Sequence, residues 1–140
     1  MERPRLGMAA LAGAKLRATL GSTIRSSNLL KHAAKKYGLA WMDAGEVNRS
    51  LGCNASIHGD VIVSMGDHAV IVLDLQGEDL VWRTLHLLGH VACGHWRDFD
   101  LERLQQEAEF SPRAARLLTY LEIEADVFAL TALLCVEAAA

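Results

Sequence analysis

The sequence predicts an α+β fold: helices around a short antiparallel β-hairpin, with a histidine-bearing helix and a long C-terminal helix. Three observations carry this expectation. Val61-Ile62-Val63-Ser64-Met65 and His68-Ala69-Val70-Ile71-Val72-Leu73 are strand-like runs joined by Gly66-Asp67, the pattern of a two-residue hairpin. An apolar stretch from about Asp79 to Cys93 has helical length, and Gly94 is its natural stop. Ser111-Pro112 is a helix start signal, with Ser111 as cap and Pro112 in the first turn.

At 140 residues and 51% hydrophobic, the chain has enough apolar material for one core, and 22% charged residues is too few for compositional disorder. No apolar run reaches the roughly 18–20 residues that span a bilayer. Lys15 and Arg17 cut short the apolar stretch after Arg3 and Arg5, which argues against a signal peptide. Cys53, Cys93 and Cys135 are odd in number and form no paired motif, which suits a reducing, cytoplasmic setting. The net charge of -3 hides an asymmetry: residues 1–36 carry eight Lys/Arg and only Glu2 as an acid. A basic head of this kind can contact nucleic acid or an acidic partner, but it has no aromatics to stack on bases, and a solvated face is the preferred reading.

In chain order, residues 8–20 suit a helix whose apolar face is largely alanine, with a break at Gly21-Ser22. Residues 1–25 thus read as a basic N-terminal helix or arm and residues 26–140 as the main domain. Ser26 or Ser27 can cap a second helix through Tyr37, with Leu29, Leu30, Ala33 and Ala34 as its buried stripe and Gly38 as its stop. Leu39 to Met42 reads as a short strand, Asp43 to Ser50 as a place for one helical turn, and Gly52 to Gly59 as a turn-like segment. After the hairpin and the histidine helix, Trp96 to Asp100 reads as a connection and Leu101 to Glu109 as a polar helix. The last helix runs from Pro112 toward Glu137, with Leu117, Leu118, Leu121, Phe128, Leu133 and Leu134 as apolar surface.

The chemistry concentrates at His86 and His90. Residues four apart share a helix face, so both imidazoles can aim at one point, as in the H-E-x-x-H zinc helix. A zinc site needs a third ligand, and Glu122-Ile123-Glu124-Ala125-Asp126 offers acids on the last helix. Glu122 and Asp126 are four apart, whereas Glu124 lies about 200° around the axis from Glu122. The natural assignment is His86, His90 and Glu122 as metal ligands, with Asp126 accepting a hydrogen bond from the far nitrogen of a ligating histidine. Glu124, His95 and Cys93 are weaker candidates: Glu124 has the wrong face, His95 follows the helix-ending Gly94, and Cys93 reads as a small buried hydrophobe. His32, His58 and His68 have no partner at motif spacing.

His86-Leu87-Leu88-Gly89-His90, then Gly94-His95, then Glu122-Ile123-Glu124-Ala125-Asp126-Val127-Phe128-Ala129, resembles the ImmA/IrrE family of metallopeptidases. Members carry H-E-L-G-H, often a following G-H, and later E-x-E-A-(D/N)-x-F-A; the hairpin at 61–73 and Arg83-Thr84 are also similar, and in element order the resemblance covers roughly residues 26–135. It implies a small zincin-like fold of the gluzincin type, zinc, and a partner that is a DNA-binding repressor or regulator, often of phages, mobile elements or stress responses. The departure is Leu87, which stands where the family has the glutamate that acts as general base. A general base commonly contributes on the order of 10²–10⁴-fold in rate, and leucine cannot accept a proton. The expectation is therefore a degenerate metallopeptidase domain that binds zinc, or another divalent metal, and a regulatory protein with little or no proteolysis. The alternatives are an active zinc peptidase that cleaves a repressor, and a metal-free interaction or nucleic-acid-binding module whose histidines are core groups.

Overall fold

A computed structural model describes residues 1–21, 24–51, 60–65 and 68–134. Among them are seven helices and a three-stranded sheet. In chain order the elements are α1 (Leu6–Leu20), α2 (Ser26–Tyr37), β1 (Ala40–Asp43), α3 (Ala44–Leu51), β2 (Val61–Met65), β3 (His68–Leu73), α4 (Leu80–Ala92), α5 (His95–Asp98), α6 (Leu101–Ala108) and α7 (Pro112–Leu133). The fold is α+β, as the sequence predicts, and it ends in a long helix. No helix among the described residues is long and apolar enough to cross a membrane.

The sheet has the order β1-β3-β2. β2 and β3 pair antiparallel with Val61 opposite Val72 and Met65 opposite His68. β1 joins the other side of β3 in parallel, with Ala40 opposite Val70 and Asp43 opposite Leu73. That parallel partner is not part of the sequence expectation. β3 is consequently the central strand, which explains why Ala69 to Leu73 are all buried rather than alternating. Ala69, Ile71 and Leu73 face the main core. Val70 and Val72 point to the opposite face, where Ala44 at the start of α3 covers them.

The main core gathers Leu29, Leu30 and Ala33 of α2, Leu85 and Leu88 of α4, Phe128, Ala129 and Ala132 of α7, and Ala9 and Leu16 of α1. A smaller cluster of Leu104, Ala114 and Leu121 fastens α6 to α7.

Several boundaries differ from the sequence reading. α3 has eight residues, about two turns rather than one. Ala34 is exposed, because the face of α2 toward the core is set by Leu29, Leu30 and Ala33. Ser26 lies inside α2; the residue before it is Arg25, whose backbone N–H donates to Asn28 Oδ1 at 2.8 Å. Trp96 to Asp98 belong to the short helix α5 rather than to a bare connection. Other features follow the sequence. Gly38 and Gly94 take the left-handed conformation at φ +65° and +79° that ends α2 and turns the chain after α4. Ser111 Oγ accepts from Ala114 N at 3.2 Å, the cap that starts α7. The last helix ends at Leu133, short of the expected Glu137. The Gly66-Asp67 turn, the segment Gly52 to Gly59, Cys53, His58, Cys135 and the rest of residues 135–140 lie outside the described residues.

Candidate metal centre

The site forms where α4 crosses α7. Gly89 makes the close approach possible. A Cβ added there would sit 2.9 Å from the Ala125 carbonyl oxygen and 3.0 Å from its Cα, both backbone atoms of α7. With only a hydrogen at this position, Glu122 and Asp126 on one face of α7 come within reach of His86 and His90 on one face of α4.

His86 Nε2 lies 2.9 Å from Glu122 Oε2, His90 Nε2 lies 3.1 Å from Glu122 Oε1, and the two Nε2 atoms are 3.2 Å apart. Ligands on a tetrahedral zinc at ~2.0–2.1 Å are separated by about 3.3 Å, so the three donors already hold nearly that spacing. Two neutral imidazoles and a carboxylate are also the chemically suitable donor set. Behind the site, His86 Nδ1 donates to Asp126 Oδ1 at 2.8 Å. That bond places the ring proton on Nδ1 and leaves the Nε2 lone pair facing the other donors. The structure thus brings together all four residues that the spacing selects.

The electrostatics of these side chains favour a proton on His86 and charge on Glu122. Burial works against a charged His86, but the Glu122 and Asp126 carboxylates outweigh it and raise its pKa. Burial likewise works against a charged Glu122, yet the bonds from His86 and His90 hold its carboxyl well below the usual carboxylate range. A divalent cation would compete with protons for the same lone pairs.

The weaker candidates fall elsewhere, in a connected second cluster. His95 is fully buried, as is Glu124. His95 Nε2 donates to Glu124 Oε1 at 2.8 Å, and His95 Nδ1 lies 2.8 Å from His90 Nδ1. His95 is therefore not a ligand of the point shared by His86 and His90, but it touches one of those histidines from behind. Glu124 is on the opposite face from Glu122, as helical geometry requires. It is held by Arg5, whose backbone N–H, Nε and Nη2 donate to its carboxylate at 2.7, 3.1 and 2.9 Å.

Cys93 completes a second potential metal triad with His95 and Glu124. Its partners are already engaged: both Glu124 oxygens receive bonds from Arg5, and both His95 nitrogens are in hydrogen bonds. Burial, with the nearby Glu124 charge, pushes the Cys93 thiol up to about 11, which keeps it protonated and a poor ligand. Cys93 is buried in the core, as expected of a small hydrophobe.

The site opens onto a groove. His86, Glu122 and Asp126 are partly exposed at 23%, 42% and 48% of their side chains, whereas His90 is at 6%. The start of β2 forms one wall, α5 and α6 with Phe99 and Asp100 form another, and Leu118 and Glu122 of α7 complete it. Among the described residues β2 is an edge strand, with Val61 and Val63 partly exposed. Leu87 also borders the groove, but at 5% exposure it is committed to the core. At Leu87 the groove therefore presents an apolar side chain with no proton-accepting atom.

Arg5 is the residue that sequence reading misses. It lies 119 positions from Glu124, and no spacing rule links them. A signal existed only on the other side: an acid on the inward face of an apolar helix requires a buried partner. Of the rest of the basic head, Arg17 Nη1 donates to the Ala132 and Leu133 carbonyls at the end of α7, at 3.3 and 3.5 Å. His32 sits edge-on to Tyr37, away from the site, and its Nε2 has no hydrogen-bond partner among the described residues. No protein-family model, no curated protein and no solved structure matches this chain.

Proposed function

We propose that this chain is a metal-binding, zincin-like domain of the ImmA/IrrE type that has lost efficient peptidase chemistry and acts by binding a regulatory protein. One observation carries the metal part: His86 Nε2, His90 Nε2 and the Glu122 carboxylate converge within 3.2 Å, with Asp126 fixing His86 from behind. The metal, zinc by the chemistry of the donors, would be held by these three side chains and would supply Lewis acidity at the floor of the groove. Leu87 supports the non-catalytic part, since it is buried beside the ligands and has no proton-accepting atom. The expected partner is a DNA-binding transcriptional regulator, in a repressor or anti-repressor relationship. The motif resemblance supports that class, and the groove beside the edge strand β2 offers room for a segment of it.

The test is a cleavage and binding assay on zinc-loaded protein against candidate repressors, with Leu87→Glu alongside. The parent chain is expected to bind a repressor without cutting it, and Leu87→Glu to gain chelator-sensitive cleavage, on the order of 10²–10⁴-fold above the parent. Chelator-sensitive cleavage by the parent at a rate matching Leu87→Glu would replace this reading with that of a working peptidase.

A further inference from the structure

We propose that Arg5, Glu124 and His95 form a positioning relay that fixes His90 as a metal ligand, so that the N-terminal segment is a working part of the metal centre. This rests on the metal-centre reading above and extends it to residues outside the ligand set. The atoms form one continuous line: Arg5 to Glu124 at 2.7–3.1 Å, Glu124 Oε1 to His95 Nε2 at 2.8 Å, and His95 Nδ1 to His90 Nδ1 at 2.8 Å.

With His95 neutral, the direction of every hydrogen bond in the line follows from its Arg5 end. Arg5 has only donors, and it places three of them on Glu124. Glu124 is therefore an ionised acceptor, and the proton facing it belongs to His95 Nε2. A neutral His95 with its proton on Nε2 has a bare Nδ1, which can only accept. The short contact between the two Nδ1 atoms then requires His90 to donate from Nδ1. His90 Nε2 is left with its lone pair directed at Glu122 and His86, the side where a metal would sit. Asp126 does the same for His86 in one step. The His90 side takes three residues because its Nδ1 meets His95, while the carboxylate beside that ring, Glu122, faces Nε2.

Geometry explains why the line reaches back to residue 5. Glu124 and His95 are both fully buried, and an isolated buried carboxylate is costly. Arg5 supplies the compensating charge from the residue that precedes α1, and its Nη2 also donates to the Cys93 carbonyl at the end of α4, at 3.3 Å. The relay thus ties α1, α4 and α7 together at the back of the ligand set. Hydrogen-bond partners behind a ligating histidine commonly change metal affinity by about 10–100-fold.

The experiment uses the full untagged chain and the variants Arg5→Met, Arg5→Lys, His95→Phe and His95→Asn. Zinc affinity is read by chelator competition, and imidazole protonation by ¹⁵N NMR of the zinc-loaded parent. The expected spectrum shows a neutral His95 with its proton on Nε2, and a coupling across the His90–His95 N–H···N bond. His95→Phe is expected to weaken zinc binding by about 10–100-fold, and His95→Asn to recover part of it through its Oδ1 acceptor. Arg5→Met should weaken binding in the same direction, with Arg5→Lys closer to the parent. If His95→Phe does not fold, Arg5→Met and the spectrum of the parent decide. A His95 protonated on Nδ1, or a folded Arg5→Met that binds zinc as tightly as the parent, would overturn the relay while leaving the metal centre standing. A parent chain that binds no zinc would overturn both.

Discussion

Glu124 shows how a single buried charge organises its surroundings. Burial alone would raise its pKa, but the bonds from Arg5 and His95 outweigh that and hold it below its ordinary value of 4.5. A carboxyl whose folded pKa is depressed stabilises the fold fully above its unfolded pKa, and this contribution is lost as pH falls through the folded value. Urea unfolding of the metal-free chain is therefore expected to show a stability decline below about pH 4.5, and Glu124→Gln a shallower one over the same interval. Identical slopes for the two proteins would contradict the role assigned to this carboxylate. At this scale His86, His90, Glu122 and Asp126 were legible in the sequence, because helical periodicity alone decides which side chains share a face. The parts of His95 and Glu124 are not legible in the same way, because ligand spacing tests only for membership of that shared point. His95 meets His90 from behind and Glu124 meets His95 in turn, and the Arg5 partner of Glu124 is set by tertiary packing.

Between elements, the α4–α7 crossing decides whether the ligands meet. Gly89→Ala would press a methyl group against the Ala125 backbone, which cannot swing aside as a side chain can. The expected cost is about 1–3 kcal/mol of stability, with weaker metal binding as Glu122 is moved away from the histidines. Calorimetry and chelator competition on the same sample would check both; unchanged values would mean that the two helices have slack at this point. The strands β2 and β3 and the start of α7 were readable because their signals are local: a turn dipeptide between β-branched runs, and a cap followed by proline. The parallel pairing of β1 with β3 was not, since it joins segments about thirty residues apart with α3 and β2 between them. The short α5 was hidden for a different reason: its four residues, His95–Asp98, are too few to show a periodicity.

For the molecule as a whole, the basic head is built into the fold. Ala9 and Leu16 of α1 sit in the same core as Phe128, Ala129 and Ala132 of α7. Gly13 lets the two helices touch closely, since a Cβ there would collide with the Phe128 carbonyl. Arg5 and Arg17 are turned toward Glu124 and toward the last carbonyls of α7, where a cation is favoured. Deleting residues 1–21 is expected to uncover the Phe128–Ala132 face and abolish cooperative thermal unfolding. A deleted chain that still melts in one sharp transition would show that residues 24–134 hold a core of their own. Charge counting could not reveal this, because it records how many cations a segment has and not where they point.

The central claim is that His86, His90 and Glu122 hold a metal ion, and metal content per chain tests it most directly. Protein purified without a metal-affinity tag, beside a His90→Ala control, would be analysed for bound metals. The account expects close to one zinc, or one other divalent ion, per parent chain and far less in the control. A parent chain that carries no metal after incubation with zinc would contradict it, and the half-buried His86 and buried His90 would then be groups held only by hydrogen bonds to Glu122, Asp126 and His95.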